Sequence, residues 1–167
     1  IVSHDLQAFY TGLHGPDLFF YHRPFSGHSL RTYGTRLHDE PAAAFFEKGA
    51  EVVRCADQDT TLCYLLGFLC HFVLDSACHG YIDEYERIHH VSHAKIEAEL
   101  DKHFMRKDGL DIHKTNSAAH IVASRQLAMR IAPLFDMVSA DQIVDALSSM
   151  HRLSGWLVPS SKGKVKS

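Results

Sequence analysis

Histidines and carboxylates recur at four-residue spacing in two stretches: His71, Asp75 and His79 in GFLCHFVLDSACHG, and His93 and Glu97 in HAKIEAEL. A helix turns about 100° and rises about 1.5 Å per residue, so side chains four apart return to one face about 6 Å further on. Five donors of metal-ligand type would then project inward from two helices. Burying such groups on an apolar helix is costly unless a partner or a metal satisfies them. His79, His93 and Glu97 would make a two-histidine, one-carboxylate zinc set with a position left for water. His71 and Asp75 would serve a neighbouring site, with Asp75 able to bridge. Two metals about 3.5–4 Å apart suit a phosphate and an activated water.

The remaining ligands must come from earlier in the chain. Asp17 in GLHGPD and His38 in RLHDE are the best placed, with His4, His14, His22 and His28 in reserve. Histidine is abundant, at 14 residues, so most need a plainer reading. His89 and His90 suit a polar surface, and His103, His113, His120 and His151 lack a partner at ligand spacing. Asp101 follows Glu97 by four and would either orient a ligand imidazole or stand as a solvated charge. Ser76 lies mid-helix with no GxSxG elbow around it, and no GxxxxGKS loop is present, so nucleophilic-serine and nucleotide-loop chemistry are set aside.

The elements that must hold these donors read as helices. Residues 2–11 form a short one, and 12–40 a long irregular segment punctuated by Gly12, Gly15, Pro16, Pro24, Gly27 and Gly34. Pro41 opens a helix over 41–56. Asp57 or Asp59 caps a third helix to about Tyr85, whose Leu62, Leu65, Leu66, Leu69, Phe72 and Val73 make a broad buried face. Further helices span 90–107 and 117–131, and Ser139 with Gln142 forms a capping box opening one to about Leu157. No segment reads as a strand, so the expected fold is all-α, a multi-helix bundle with the metal cluster between its central helices.

At 167 residues and 46% hydrophobic content the chain suits a single domain over 1–167. Its net charge of −3 argues against a nucleic-acid polymer as partner, and the basic tail Lys162, Lys164, Lys166 reads as a solvated end. The longest apolar run, Leu62–Val73, is broken by Gly67 and His71, short of about 18 uninterrupted apolar residues for a membrane span. Cys55, Cys63, Cys70 and Cys78 show no CxxC spacing and read as buried, reduced thiols. With no leader visible, that points to a cytoplasmic rather than a secreted setting.

YLLGFLCHFVLDSACHGYIDEY followed by HAKIEAELD, with GLHGPDLFFYHRP near the start, resembles the zinc-dependent phospholipase C family over about residues 4–105, most closely its small bacterial members. The family is distantly similar to the single-strand-specific zinc nucleases. The resemblance implies that His71 and Asp75 belong to a first zinc site completed by Asp17 and His38, that His79, His93 and Glu97 form a second, and that Asp75 bridges to a third metal. Two to three zinc ions per chain are therefore expected. Third-site ligands come from a segment ahead of the GPD motif in the family, with His4 or His14 as substitutes here, so the chain is expected to be truncated at both ends. The Asp75–His79 gap is shorter than in the secreted phospholipases. The implied activity is hydrolysis of a phospholipid or other small phosphodiester, with transient contact to a membrane surface. Asp17 would act as ligand, general base or both. Phe19, Phe20, Tyr21 and Phe25 would either wall a choline-like head group or pack as core beneath a loop. The rival readings are a nuclease- or nucleotidase-like phosphoesterase and a non-catalytic metal-stabilised helical module. Oligomeric state is not encoded in these motifs.

Overall fold

The computed structural model describes residues 2–27, 30–55 and 59–156, and is all-α, with no strand among the described residues. Among them seven α-helices follow in order: α1 (Leu6–Gly12), α2 (Arg31–Asp39), α3 (Ala42–Cys55), α4 (Asp59–His89), α5 (His93–Lys107), α6 (Arg125–Ile131) and α7 (Ala140–Trp156). Short 3-10 turns cover Val2–His4, Gly15–Tyr21 and Ala132–Leu134.

The organising element is α4, at 31 residues. Its first half is buried through Thr61, Cys63, Tyr64, Leu65, Gly67 and Phe68. α1 crosses it where Gly12 and Gly67 leave no room for side chains: a Cβ on Gly67 would stand 2.1 Å from the Phe9 carbonyl oxygen, and one on Gly12 2.1 Å from that of Tyr64. Asp5 locks this crossing, accepting from the Ala8 amide at 2.9 Å through Oδ1 and from the Thr60 hydroxyl at 2.9 Å through Oδ2. One carboxylate thus caps α1 and ties it to the start of α4. α3 packs on the same half of α4, with Phe45 stacked on Phe68 at 4.3 Å. α7 closes the core with Ile143, Ala146, Leu147 and Met150, the i, i+3, i+4, i+7 face of an amphipathic helix. Its capping box is formed, Gln142 N donating to Ser139 Oγ at 3.2 Å and Ser139 N to Gln142 Oε1 at 2.8 Å.

Several expectations are corrected. Residues 12–40 are not irregular throughout but hold the Gly15–Tyr21 turn and α2. Gly34, read as a breaker, sits inside α2, where a Cβ would be 3.1 Å from Phe20 and 3.2 Å from the Pro16 carbonyl oxygen. The helix expected over 117–131 starts only at Arg125. Asn116 Oδ1 takes the Ala118 amide at 3.0 Å in a turn, and Ser124 Oγ caps α6 through the Leu127 amide at 3.2 Å. Leu69, Phe72 and Val73 are exposed rather than buried, although the Phe46 ring of α3 meets that of Phe72 at 6.1 Å. By length and composition α4 does reach the range of a membrane-crossing helix, though a third of its most apolar window is buried inside the protein. No disulfide joins the four cysteines, yet only Cys63 is buried, while Cys55 and Cys70 are exposed. Asp57, His28 and the basic tail lie outside the described residues.

Candidate metal centre

Three elements converge on the middle of α4. His71 lies one turn beyond the buried half of the helix. Its Nδ1–H donates to the Leu13 carbonyl at 3.2 Å, which leaves the lone pair on Nε2. That Nε2 is buried and has no hydrogen-bond partner. An imidazole fixed by a carbonyl at one nitrogen, with a bare lone pair at the other, has the form of a metal ligand. The turn after α1 is shaped around this ring. Gly15 has φ +51°, and a Cβ there would stand 2.2 Å from the His71 ring.

Asp17 enters from the Gly15–Tyr21 turn and His38 from the last turn of α2. His38 Nδ1–H donates to Gly34 O at 2.9 Å, aiming Nε2 at Asp17 Oδ1, 3.0 Å away. Phe20 stacks on the imidazole at 5.6 Å. Ligand atoms of Asp17, His38 and His71 all lie within 4.8 Å of one another. Two imidazole nitrogens and a carboxylate oxygen form a zinc donor set with an open position.

The hydrogen bond to Asp17, opposed by burial, raises His38 from 6.5 to about 9. In the metal-free protein the imidazolium therefore contributes stability fully present below about pH 6.5 and lost as pH rises through about 9. Zinc must displace that proton. We expect zinc affinity to rise about tenfold per pH unit between about pH 7.5 and 9, then flatten, with close to one proton released per ion at pH 7.5. Calorimetric titration in buffers of differing ionisation enthalpy measures it. A pH-independent affinity over this interval would remove His38 from the ligand set.

The second group of donors is arranged differently. Asp75 Oδ1 is 3.1 Å from His79 Nε2, so Asp75 turns toward the next ligand along α4 while its charge still acts on His38. The His79 and His93 rings lie 4.9 Å apart, and His93 Nε2 meets Glu97 Oε1 at 3.1 Å. Asp75, His79, His93 and Glu97 thus form a chain of contacts leading away from the first centre. Asp83 and Glu86 also join it: with His93 they form a second group whose ligand atoms lie within 4.8 Å of one another. Sequence reasoning missed both, although 71, 75, 79 and 83 continue one four-residue series. Asp101, its carboxyl raised above the usual range by burial, has no hydrogen bond to these donors among the described residues.

The reserve histidines scatter. His4 faces Asp59 at 3.6 Å, about 18 Å of helix before His71. His22 is buried beside Asp145 at 3.6 Å. His14 instead meets His120, a residue read from sequence as ordinary. The four aromatics offered as a wall or as core divide, with Phe20 against His38. Phe19 is core and Phe25 is 92% exposed beside Arg23 and Asp145, whereas the pocket touching His38, His71 and Asp75 is walled by Phe45, Phe68 and Phe72. Arg36 and Lys48 line the same pocket, paired with Glu40 and Asp136.

The family model for zinc dependent phospholipase C matches residues 2–143, a span that contains both groups of donors. Among curated proteins and solved structures nothing matches. With most of its length covered by that model and its helices converging half-buried imidazoles on a carboxylate, the chain belongs to the zinc-dependent phospholipase C family.

Proposed function

We propose that the protein is a zinc-dependent phosphodiester hydrolase of the phospholipase C type, acting on a phospholipid or a similar small phosphodiester. The observation that carries this reading is the buried, partnerless Nε2 of His71 converging with His38 and Asp17. His38, His71 and Asp17 would hold one ion, and His79, His93 and Glu97, with Asp83 and Glu86 at hand, a second. When bound, zinc supplies an activated water near neutral pH and polarises the phosphoryl oxygens.

The chain's own residues do the rest. Asp17 directs only Oδ1 at His38, and its other oxygen is available to take a proton from an attacking water. Leu13 and Gly34 hold the two imidazoles in the tautomer that presents Nε2. Phe45 and Phe72 give the pocket an apolar wall, while Arg36 and Lys48 bring positive charge balanced by Glu40 and Asp136. This mixture suits a small phosphodiester, since a long nucleic acid needs a track of uncompensated cations. Val73 and Leu74, 58% and 67% exposed on α4 between the donors, offer apolar contact with a lipid surface.

The test is hydrolysis of p-nitrophenyl phosphorylcholine by zinc-loaded protein. We expect turnover to vanish on chelation and return with zinc, and phosphatidylcholine vesicles to be cut in preference to a dinucleotide. Turnover that survives chelation unchanged would sink the metal-dependent mechanism. Reversed substrate preference would move the protein to the nucleotide-cleaving side of its chemistry.

A further inference from the structure

A second imidazole contact has no part in the chemistry above. His14 and His120 meet Nε2 to Nε2 at 3.1 Å, their ring planes 10° apart and their centroids separated by 5.3 Å. They lie 106 positions apart in sequence, and both are held in place. His14 opens the Gly15–Tyr21 turn. His120 is fixed through its carbonyl, which accepts from Gln7 Nε2 at 2.9 Å, and through buried Ala118 and Ile121 on either side. The Tyr10 ring meets the His120 ring edge-on at 5.8 Å, and the Ser117 backbone hydrogen-bonds to it.

Two ring nitrogens facing each other at this distance need a proton or a cation between them. Burial, reinforced by His120, lowers His14 to about 4, and the partial burial of the His120 ring lowers it as well, which favours lone pairs over protons at this contact. A tetrahedral zinc with bonds of about 2.0–2.1 Å holds two imidazole nitrogens about 3.3 Å apart, within a few tenths of an ångström of the separation here. Asp17 lies close enough for its charge to act on His14, which favours a cation at this point.

We propose that His14 and His120 form a further zinc-binding site, two imidazoles completed by solvent, beside the Asp17–His38–His71 centre. The ion would staple the turn after α1 to the segment leading into α6, closing a long loop of chain. The inference rests on the zinc reading only for the identity of the cation.

Zinc stoichiometry by equilibrium dialysis and metal analysis separates the two. His120 is exposed, so H120A keeps its helical circular dichroism. We expect H120A to bind one zinc fewer than the native chain. H38A should lose zinc from the central site and keep the His120-dependent ion. Long-range proton–nitrogen spectra should show the ring nitrogens of His14 and His120 shifting together on zinc addition in the native protein and in H38A. Equal zinc content and affinity in H120A and the native chain would overturn the site, leaving an N–H···N hydrogen bond between neutral rings. That result would leave the central reading intact. An H38A protein with undiminished zinc would sink the central reading without touching this one.

Discussion

Replacing Gly15 with alanine is expected to weaken zinc binding at the Asp17–His38–His71 centre by more than about 100-fold while the helices stay folded. Two effects act together. At φ +51° an alanine carries about 1–2 kcal/mol of backbone strain. Its Cβ would also stand 2.2 Å from Cδ2 and 2.7 Å from Nε2 of His71, so the ring must leave. The clash is centred on Cδ2 and Cγ and extends to the nitrogen that presents the lone pair. Rotating the ring away also breaks the Nδ1–H bond to Leu13 that fixes the tautomer. Loss of an orienting group alone costs metal sites about 10–100-fold, and here the ligand itself is displaced.

A double-mutant cycle separates this from general damage. In an H71A background the space beside Gly15 is empty, so the added methyl should cost zinc affinity almost nothing beyond the loss already caused by H71A. Competition with a chelating dye, alongside circular dichroism, reads both quantities. Additive losses would show that Gly15 acts through the fold and not through His71. Unchanged zinc affinity in G15A would mean that His71 is not a ligand.

The donors are legible because helix spacing is a local property. His71, Asp75 and His79 stand out as polar groups on an otherwise apolar stretch, and their four-residue steps survive into α4. Asp17 and His38 are harder to find, since they meet only because the Gly15–Tyr21 turn and α2 pack together. Glycine and proline in 12–40 read as loop punctuation, but Gly34 is small so that Phe20 and the Pro16 carbonyl can approach α2. Asp83 and Glu86 sit in the polar run IDEYER, where carboxylates carry no contrast with their neighbours. The His14–His120 contact has no local signature, because it joins residues 106 positions apart through the packing of two turns. Hydrophobic pattern also overstates burial along α4: the apolar stripe continues through Val73 and Leu74, yet these are 58% and 67% exposed.

Gly67 carries the prediction with the largest effect on stability. In a helix interior, glycine to alanine ordinarily stabilises by about 1 kcal/mol. Gly80 lies on the same helix, and nothing stands within 4 Å of the place its Cβ would take. It should follow that rule, and G80A should raise the melting temperature by a few degrees. At Gly67 the sign reverses. A Cβ there would be 2.1 Å from the Phe9 carbonyl oxygen and 3.0 Å from the Gly12 backbone, which are rigid backbone atoms and not the flexible ends of side chains. α1 can relieve the overlap only by moving away from α4, which strains the Asp5 clamp to Thr60 and opens the core around Phe68 and Tyr64. Overpacking a well-filled core costs about 1–3 kcal/mol when side chains can shift, and a backbone clash lies at or above the top of that range. At about 2–4 °C per kcal/mol for a chain of this size, G67A should melt about 10 °C lower than the native protein. Because Leu13 and Gly15 follow directly from α1, the same shift should draw the carbonyl that orients His71 off its mark, so zinc affinity should fall along with stability. Melting curves of G67A and G80A, each with and without zinc, test the pair: equal melting temperatures in the two variants would show that the α1–α4 crossing tolerates a methyl group and that the close approach does not hold the centre in place.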